Sequence, residues 1–232
     1  MKKPETPGNS WKKEGVYVVL PAYNEEKTIS DVISELIHLG VNLIVVDDGS
    51  KDSTYRVTMD LLKNHPTQIS LYRHPINRGL GATLRTGIKA AYTQGADIIV
   101  TFDADGQHHS QDIPPICQPI IQGEADVVIG KRNFSEMPFR KQFGNVVMNI
   151  ITLIFYGKDV EDSQSGLRAF NQKTAGLMEL HSRDYGVSSE IIGEVRRKNL
   201  RLVEVPITTI YTDYSLSKGT NTKVKLKILT RL

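Results

Sequence analysis

The chain has 232 residues, of which 39% are hydrophobic and 24% are charged, as is usual for a folded domain. Its formal net charge of +3 at pH 7 is too small to indicate nucleic-acid binding by itself. Because Cys117 is the single cysteine, an internal disulfide is excluded and a reducing compartment is the simpler expectation.

The sequence predicts neither a secretion signal at residues 1–15 nor a membrane-spanning helix within the 232 residues. Residues 1–15 are polar with charges of both signs and lack the apolar core of a signal peptide. The longest apolar stretch, residues 146–156, is too short to span a bilayer. Residues 218–232 contain basic but no acidic side chains, which predicts a basic tail that could lead into membrane segments if the natural chain continues.

Short β-branched runs alternate with stretches of helical period, which predicts an α/β fold with a mainly parallel sheet. In chain order the first half predicts strands at 16–20, 43–46, 68–72, 97–102 and 125–130, with helices at 25–39, 53–63, 79–92 and 111–122 between them. The second half is less regular and predicts helices at 139–156 and 187–198, a loop with a short strand at 162–170, and a strand at 201–205 ended by Pro206.

Three polar clusters follow predicted strands directly. They are PAYNE at residues 21–25, Asp47 with Asp48, and DADGQ at residues 103–107. Because ligands bind outside the carboxyl ends of parallel strands, we expect these clusters to meet at one edge of the sheet. Their convergence is a stronger indication of a binding site than any one of them.

The DADGQ motif places two carboxylates, Asp103 and Asp105, and the amide of Gln107 on one turn. Such hard oxygen ligands suit Mg²⁺ or Mn²⁺, whose remaining positions are filled by waters and phosphates. Taken alone, the motif is more typical of an ordinary turn, and the preceding apolar strand and the companion clusters reverse that preference. His108 and His109 follow it, but adjacent histidines lack the spacing of a zinc site.

The other two clusters also have structural explanations. Asp47 could accept hydrogen bonds from a base N–H or a ribose hydroxyl, and Pro21 and Tyr23 could form the walls of a base pocket with Glu25 nearby. Asn24 could have no role beyond capping the first helix, and Asp52 or Ser53 could likewise cap the second helix.

The sequences PAYNEE (21–26), VVDDGS (45–50), NRGLGA (77–82) and DAD (103–105) resemble, in order and spacing, the signatures of family 2 glycosyltransferases with the GT-A fold. The resemblance extends over about residues 16–218. Within the family, the chain most resembles the polyprenyl-phosphate glycosyltransferases, which include dolichyl-phosphate mannose synthase. It implies a glycosyltransferase domain at 16–217, with a nucleotide-binding half at 16–130 and an acceptor-side half at 131–217. One departure is Thr212, where the dolichol enzymes have an arginine.

The resemblance also implies roles for individual residues. Nucleotide contacts are implied for Pro21, Tyr23, Glu25, Val45, Asp47, Asp103, Ala104, Asp105, Arg132 and Lys218. The metal, Mg²⁺ or Mn²⁺, is implied at Asp103, Asp105 and Gln107, with Asp103, Asp105 and Arg132 as the catalytic residues. Arg140, Lys141 and Arg168 are candidates for the acceptor phosphate, although Arg168 could instead form an ion pair with Asp162.

The implied reaction is inverting transfer of a sugar from a GDP-sugar or UDP-sugar to a polyprenyl phosphate. A cytoplasmic enzyme, peripheral at the cytoplasmic face of a membrane, would suit that acceptor, and residues 137–156 could form either an interfacial helix or a core helix. A membrane subunit or a second copy of the chain stays open as a partner. The alternatives are a soluble glycan or protein acceptor, a dinucleotide-binding module suggested superficially by Gly79 and Gly81, and an inactive scaffold.

Overall fold

The computed structural model describes residues 15–133, 160–184, 186–208 and 210. The predicted helix at 139–156, most of the N-terminal extension and the basic tail lie outside these residues. Among the residues that are described, no helix is both long and apolar enough to cross a bilayer.

One mixed sheet organises the described part of the chain. Its strands are β1 (Val16–Ala22), β2 (Asn42–Asp47), β3 (Ile69–Arg73), β4 (Ile98–Thr101), β5 (Val127–Arg132), β6 (Arg168–Asn171) and β7 (Leu202–Ile207). The helices are α1 (Ile29–Leu39), α2 (Thr54–Asn64), α3 (Leu80–Thr93), α4 (Ile113–Ile121), α5 (Gln172–Leu177) and α6 (Val187–Arg197), with a 3₁₀ turn at Ser110–Asp112.

The strands lie in the order β3-β2-β1-β4-β6-β5-β7. All neighbours pair in parallel except β6, which is antiparallel to both β4 and β5. The predicted mainly parallel sheet is therefore confirmed, and the reversed strand β6 is an addition to it. Because β6 runs backwards, the turn that leads into it lies at the same edge as the carboxyl ends of β4 and β5.

The sheet is buried on both faces. Val18 and Leu20 of β1 pack in one apolar cluster with α1 and α4, whereas Val19 packs in a second cluster with α3 and α6. Successive strand residues point to opposite faces, so a strand covered on both sides reads as a continuous apolar run. This is why the central strands were recognisable from the sequence.

Two predicted boundaries are wrong for identifiable reasons. The first helix begins at Ile29 rather than residue 25, because residues 25–28 form a turn in which Thr28 N–H donates to the Glu25 carbonyl at 3.0 Å. Strand β7 continues through Pro206 to Ile207. It is an edge strand, where the missing N–H of proline can be tolerated.

Helix α3 approaches the sheet closely at Gly87. A Cβ atom at this position would collide with Cγ1 of Val19 and lie 3.3 Å from Cγ2 of Val46. We expect Gly87→Val to lower the free energy of unfolding by about 1–3 kcal/mol through overpacking. Urea denaturation measures this, and Lys89→Val is the matched control because Lys89 is exposed on the same helix. Equal effects of the two substitutions would contradict the close packing.

Candidate active site

The loops after β1 and β2 are joined to each other at the carboxyl edge of the sheet. Asn24 N–H donates to Ser50 Oγ at 3.0 Å, and Lys51 N–H donates to Asn24 Oδ1 at 2.9 Å. Asn24 has a left-handed backbone (φ 55°), and the N-cap position of α1 is Thr28. Asn24 therefore links the two loops rather than capping the helix.

A pocket of about 470 Å³ lies beside these joined loops. Tyr23 forms one wall and is 39% exposed, while Lys51, Arg73, Ile76 and Asn77 are on other sides. Tyr23 therefore lies at the wall of a pocket that also presents basic side chains. Its contact with a nucleobase stays a prediction.

Asp47 lies at the end of β2 and is 1% exposed. Its Oδ1 accepts the Ser50 N–H at 3.2 Å, whereas Oδ2 has no hydrogen bond and lies 3.1 Å from Arg73 Nε in an ion pair. The Arg73 guanidinium also lies over the ring of Tyr55, with its Cζ 4.2 Å from the ring centroid. A buried acceptor thus lies beside a partly exposed donor. Arg73 was not among the predicted residues.

Asp48 holds the loop that forms another wall of the pocket. Its carboxylate lies 2.6 Å from His74 Nδ1 and accepts the backbone N–H groups of Arg78 and Gly79 at 3.0 and 2.8 Å. His74 Nε2 in turn lies 3.0 Å from Thr86 Oγ1 on α3. Asp48 is therefore a structural member of the motif, unlike its neighbour Asp47.

The glycines that suggested a dinucleotide module have a packing role. A Cβ on Gly79 or Gly81 would collide with the backbone of Arg183 or Ser182, respectively. Gly81 N–H donates to the Arg183 carbonyl at 2.8 Å. These glycines thus allow α3 to begin against a neighbouring loop, so a dinucleotide module is not supported.

The DADGQ loop follows β4 and is held by its own side chains. Asp105 accepts the backbone N–H of Gln107 at 3.0 Å and its side-chain Nε2 at 2.7 Å. The Ala104 carbonyl accepts Thr28 Oγ1 at 2.8 Å, which ties this loop to the loop after β1. Ile210 N–H donates to the Gln107 carbonyl at 2.9 Å, so the chain after β7 passes beside the same loop.

His108 contacts the first carboxylate of the motif. Its Nε2 lies 3.3 Å from Asp103 Oδ2, and its ring packs edge-on against Phe102 with the ring centroids 5.5 Å apart. His108 is 5% exposed and its Nδ1 has no hydrogen bond. The sequence did not predict this contact, because adjacent histidines were weighed only as zinc ligands. The position of His108 directly after the motif was the signal that could have indicated it.

The two carboxylates have opposite electrostatic environments. Burial, followed by the negative charge of Asp103, raises the pKa of Asp105 to about 6, and Glu25 adds to this effect. Burial also acts to raise the pKa of Asp103, but the hydrogen bond and charge of His108, with the charges of Arg168 and Arg132, lower it overall. Concentrated negative charge of this kind is what a bound cation would stabilise.

The ligand atoms fit Mg²⁺ or Mn²⁺. Asp103, Asp105 and Gln107 offer carboxylate and amide oxygens on one loop, the ligand type these ions prefer. Within the described ranges, no group of three or more His, Cys, Asp or Glu side chains forms a metal cage. An ion at this loop would therefore complete its coordination with waters and phosphate oxygens, as Mg²⁺ commonly does at nucleotide sites.

Arg132 lies close to this loop in an ion pair. Its Nε and Nη2 each donate at 2.7 Å to a different oxygen of Asp162, which is fully buried. Asp162 lies in the turn that leads into β6, and its N–H donates to Glu204 Oε1 at 2.9 Å, which joins that turn to β7. The suggested ion pair between Arg168 and Asp162 is therefore wrong, because Arg132 occupies both carboxylate oxygens.

Arg168 is 1% exposed and donates to the Ser163 carbonyl at 3.1 Å and to Ser188 Oγ at 2.9 Å. A guanidinium buried in this way is not placed to contact an acceptor phosphate directly. Val45 is likewise fully buried in the apolar core, so its side chain is not placed to contact a nucleotide. Lys218, Arg140 and Lys141 lie outside the described residues.

The chain matches the model of glycosyl transferase family 2 over residues 17–175. It belongs to this family. The chain is therefore a glycosyltransferase, and both the family and the enzyme class expected from the sequence are confirmed.

Individual relatives of this glycosyltransferase agree with that result. It is 41% identical to the UDP-N-acetylglucosamine–dolichyl-phosphate N-acetylglucosaminyltransferase of Methanococcus voltae, with 94% of each chain covered. It is 24% identical to the polyprenol monophosphomannose synthase of Mycolicibacterium smegmatis, with 95% of this chain and 87% of that protein covered.

A solved structure shows the same fold. Glucosyl-3-phosphoglycerate synthase from Mycobacterium tuberculosis, in complex with Mn²⁺, uridine diphosphate and glucosyl-3-phosphoglycerate, matches with a TM-score of 0.69 and 21% identity. The match covers 100% of this chain and 85% of that one. The expected GT-A fold is thereby confirmed.

The raised pKa of Asp105 predicts a pH-dependent stability of the metal-free glycosyltransferase. A carboxyl whose pKa is higher in the folded state destabilises the fold when both states are ionised, above pH 6, and this penalty fades between pH 6 and pH 4. In EDTA, Asp105→Asn should therefore raise the free energy of unfolding at pH 7.5 by on the order of 1–2 kcal/mol, with a smaller gain at pH 5.

Asp126→Asn is the control of opposite sign. Hydrogen bonds from Arg201 hold the pKa of Asp126 at about 2, so its stabilising effect is present throughout pH 5–8. This variant should be less stable than the parent by a similar amount at pH 5 and 7.5. A pH-independent effect of Asp105→Asn would contradict the electrostatic origin assigned to it.

Proposed function

We propose that the chain transfers a sugar, with inversion at the anomeric carbon, from a UDP-sugar to a polyprenyl phosphate at the cytoplasmic face of a membrane. The observation that carries this proposal is the pair Asp103 and Asp105, which follows β4 at the carboxyl edge of a GT-A sheet. Their loop is tied through Thr28 to the loop after β1, where Tyr23 lines a pocket. The name of the Methanococcus voltae relative supports both UDP as the nucleotide and a polyprenyl phosphate as the acceptor.

The nucleotide end of the donor would occupy the pocket beside Tyr23. A base that offers an N–H next to a carbonyl oxygen could donate to Asp47 and accept from Arg73 once the Arg73 side chain, which lies 3.1 Å from the buried Asp47 Oδ2, turns aside. Pro21 and Glu25 lie on the same loop as Tyr23 and complete the proposed nucleotide contacts.

The diphosphate end would lie over the DADGQ loop. Asp103, Asp105 and Gln107 would hold Mg²⁺ or Mn²⁺, which stabilises the negative charge that develops on the leaving diphosphate. Gln107 holds the Asp105 carboxylate in place by donating two hydrogen bonds to it. Ala104 contributes backbone to the same turn, and Lys218, outside the described residues, is proposed as a further cation.

Arg132 is the cation proposed to stabilise the leaving group. Its charge acts on Asp103, and its guanidinium is fixed by the bidentate pair with Asp162. A guanidinium held in this way loses little further entropy on binding a phosphate. Arg132 would thus act as a preorganised positive charge.

A polyprenyl phosphate is already an anion at neutral pH, so the acceptor needs cations to hold it rather than a strong general base. Arg140 and Lys141 are the proposed acceptor contacts. Arg168 is proposed to act from within the protein, through its charge on Asp103, since its side chain is buried. Partners would therefore be the donor, the lipid acceptor and the membrane surface.

Asp105→Ala tests the donor half of this function. In a thermal-shift assay, UDP with Mn²⁺ should stabilise the parent chain and GDP with Mn²⁺ should not, whereas the variant should lose the Mn²⁺-dependent part of the shift. Transfer from UDP-N-acetylglucosamine to dolichyl phosphate should fall by at least about 10²–10³-fold. Asp60→Ala is the control, because Asp60 is exposed on α2 and forms an ion pair with Lys63. Unchanged transfer by Asp105→Ala would contradict the mechanism.

The lipid acceptor is tested by replacing Arg140 and Lys141 together with alanine. The double variant should raise the apparent KM for dolichyl phosphate about tenfold and leave the KM for the UDP-sugar unchanged, since two phosphate-binding cations are removed. Initial rates at varied acceptor concentration measure this. The control is the double variant Arg56→Ala with Lys63→Ala, which removes the same positive charge from helix α2. Efficient transfer to a soluble glycan without lipid would instead favour the same-fold alternative.

A further inference from the structure

The turn before β6 lies directly beside the DADGQ loop. Strands β4 and β6 pair antiparallel, with Thr101 opposite Arg168. Continuing this pairing by two residues brings Gly166 opposite Asp103. A turn from the second half of the chain therefore borders the first carboxylate of the motif.

The Asp103 carboxylate occupies the space in which any residue other than glycine at position 166 would place its Cβ atom. A Cβ at residue 166 would collide with Oδ2 and Cγ of Asp103 and would lie 2.6 Å from Oδ1. These three atoms are the nearest to that position, and all belong to one carboxylate. Alanine at this position would therefore require the carboxylate or the turn to move.

The turn is the less able of the two to move. Thr101 Oγ1 donates to the Gly166 carbonyl at 2.8 Å, and Gly130 N–H donates to the Leu167 carbonyl at 2.9 Å. Arg168, the next residue, is buried and hydrogen-bonded. The Asp103 side chain is 39% exposed, so it has room to turn outward and away from His108.

We propose that Gly166 is a positioning residue for Asp103: its missing side chain sets the direction of that carboxylate and so the position of the divalent cation. The part that concerns the cation rests on the function proposed above, whereas the steric coupling of Gly166 to Asp103 does not. Through this contact, the second half of the chain controls the geometry of a site built on the first half.

A thermodynamic cycle on stability tests the steric coupling without donor or metal. Gly166→Ala should lower the Tm of the parent chain by on the order of 5 °C. In an Asp103→Ala background it should lower the Tm little or not at all, because the carboxylate with which the new Cβ collides is gone. Equal losses in the two backgrounds would overturn the proposal. If Gly166→Ala alone fails to fold, a folded double variant supports the coupling and an unfolded one overturns it.

Mn²⁺ titration in the presence of UDP tests the link to the cation. Gly166→Ala should weaken the apparent Mn²⁺ affinity about 10–100-fold, as changes next to a metal ligand commonly do, while UDP binding without metal stays as in the parent. Gly186→Ala is the matched control, since its φ is −57° and the nearest atom to an added Cβ is 3.5 Å away. Parental Mn²⁺ affinity in Gly166→Ala would overturn the link.

The two measurements separate this inference from the proposed function. If the parent chain itself binds neither Mn²⁺ nor UDP, the proposed function fails, while the Tm cycle still reports on Gly166 and Asp103. If the parent binds both and the cycle shows no coupling, the positioning role fails and the function stands.

Discussion

The carboxylates of Asp103 and Asp105 repel each other in a partly buried loop, and the contacts around them are arranged about that repulsion. His108 and the charges of Arg168 and Arg132 favour the ionised form of Asp103, while Asp105 is left with a pKa near 6. The loop can hold this unfavourable charge because the sheet beneath it is buried on both faces and fixes the strand that precedes it. A divalent cation would relieve the repulsion, which is why the loop is suited to bind one.

The reversed strand β6 joins the two halves of the chain at this site. A wholly parallel sheet would place the start of β6 at the opposite edge, far from the motif. Because β6 is antiparallel, the turn of residues 162–167 meets the loop after β4, and Asp162 links Arg132 of β5 to Glu204 of β7. The first half of the chain thus depends on the second half for the environment of its carboxylates.

The sequence predicted elements well where the signal is local. Strands such as β2 and β5 are continuous apolar runs because both faces are covered, and α3 and α6 show helical period along their length. It failed where neighbours override the local pattern. Pro206 does not end β7, because the strand is at an edge, and the direction of β6 depends on which strands flank it.

The sequence by itself determined which chemical groups meet at the carboxyl edge, since Tyr23, Asp47 and the DADGQ motif each follow a strand directly. Only the tertiary structure decided how these groups are held: Arg73 beside Asp47, His108 against Asp103, and Arg132 rather than Arg168 on Asp162. The ends of parallel strands share an edge whatever the detail of packing, so their clusters can be read from the chain. The partner of a buried charge depends instead on strand order and side-chain packing, which no local pattern encodes.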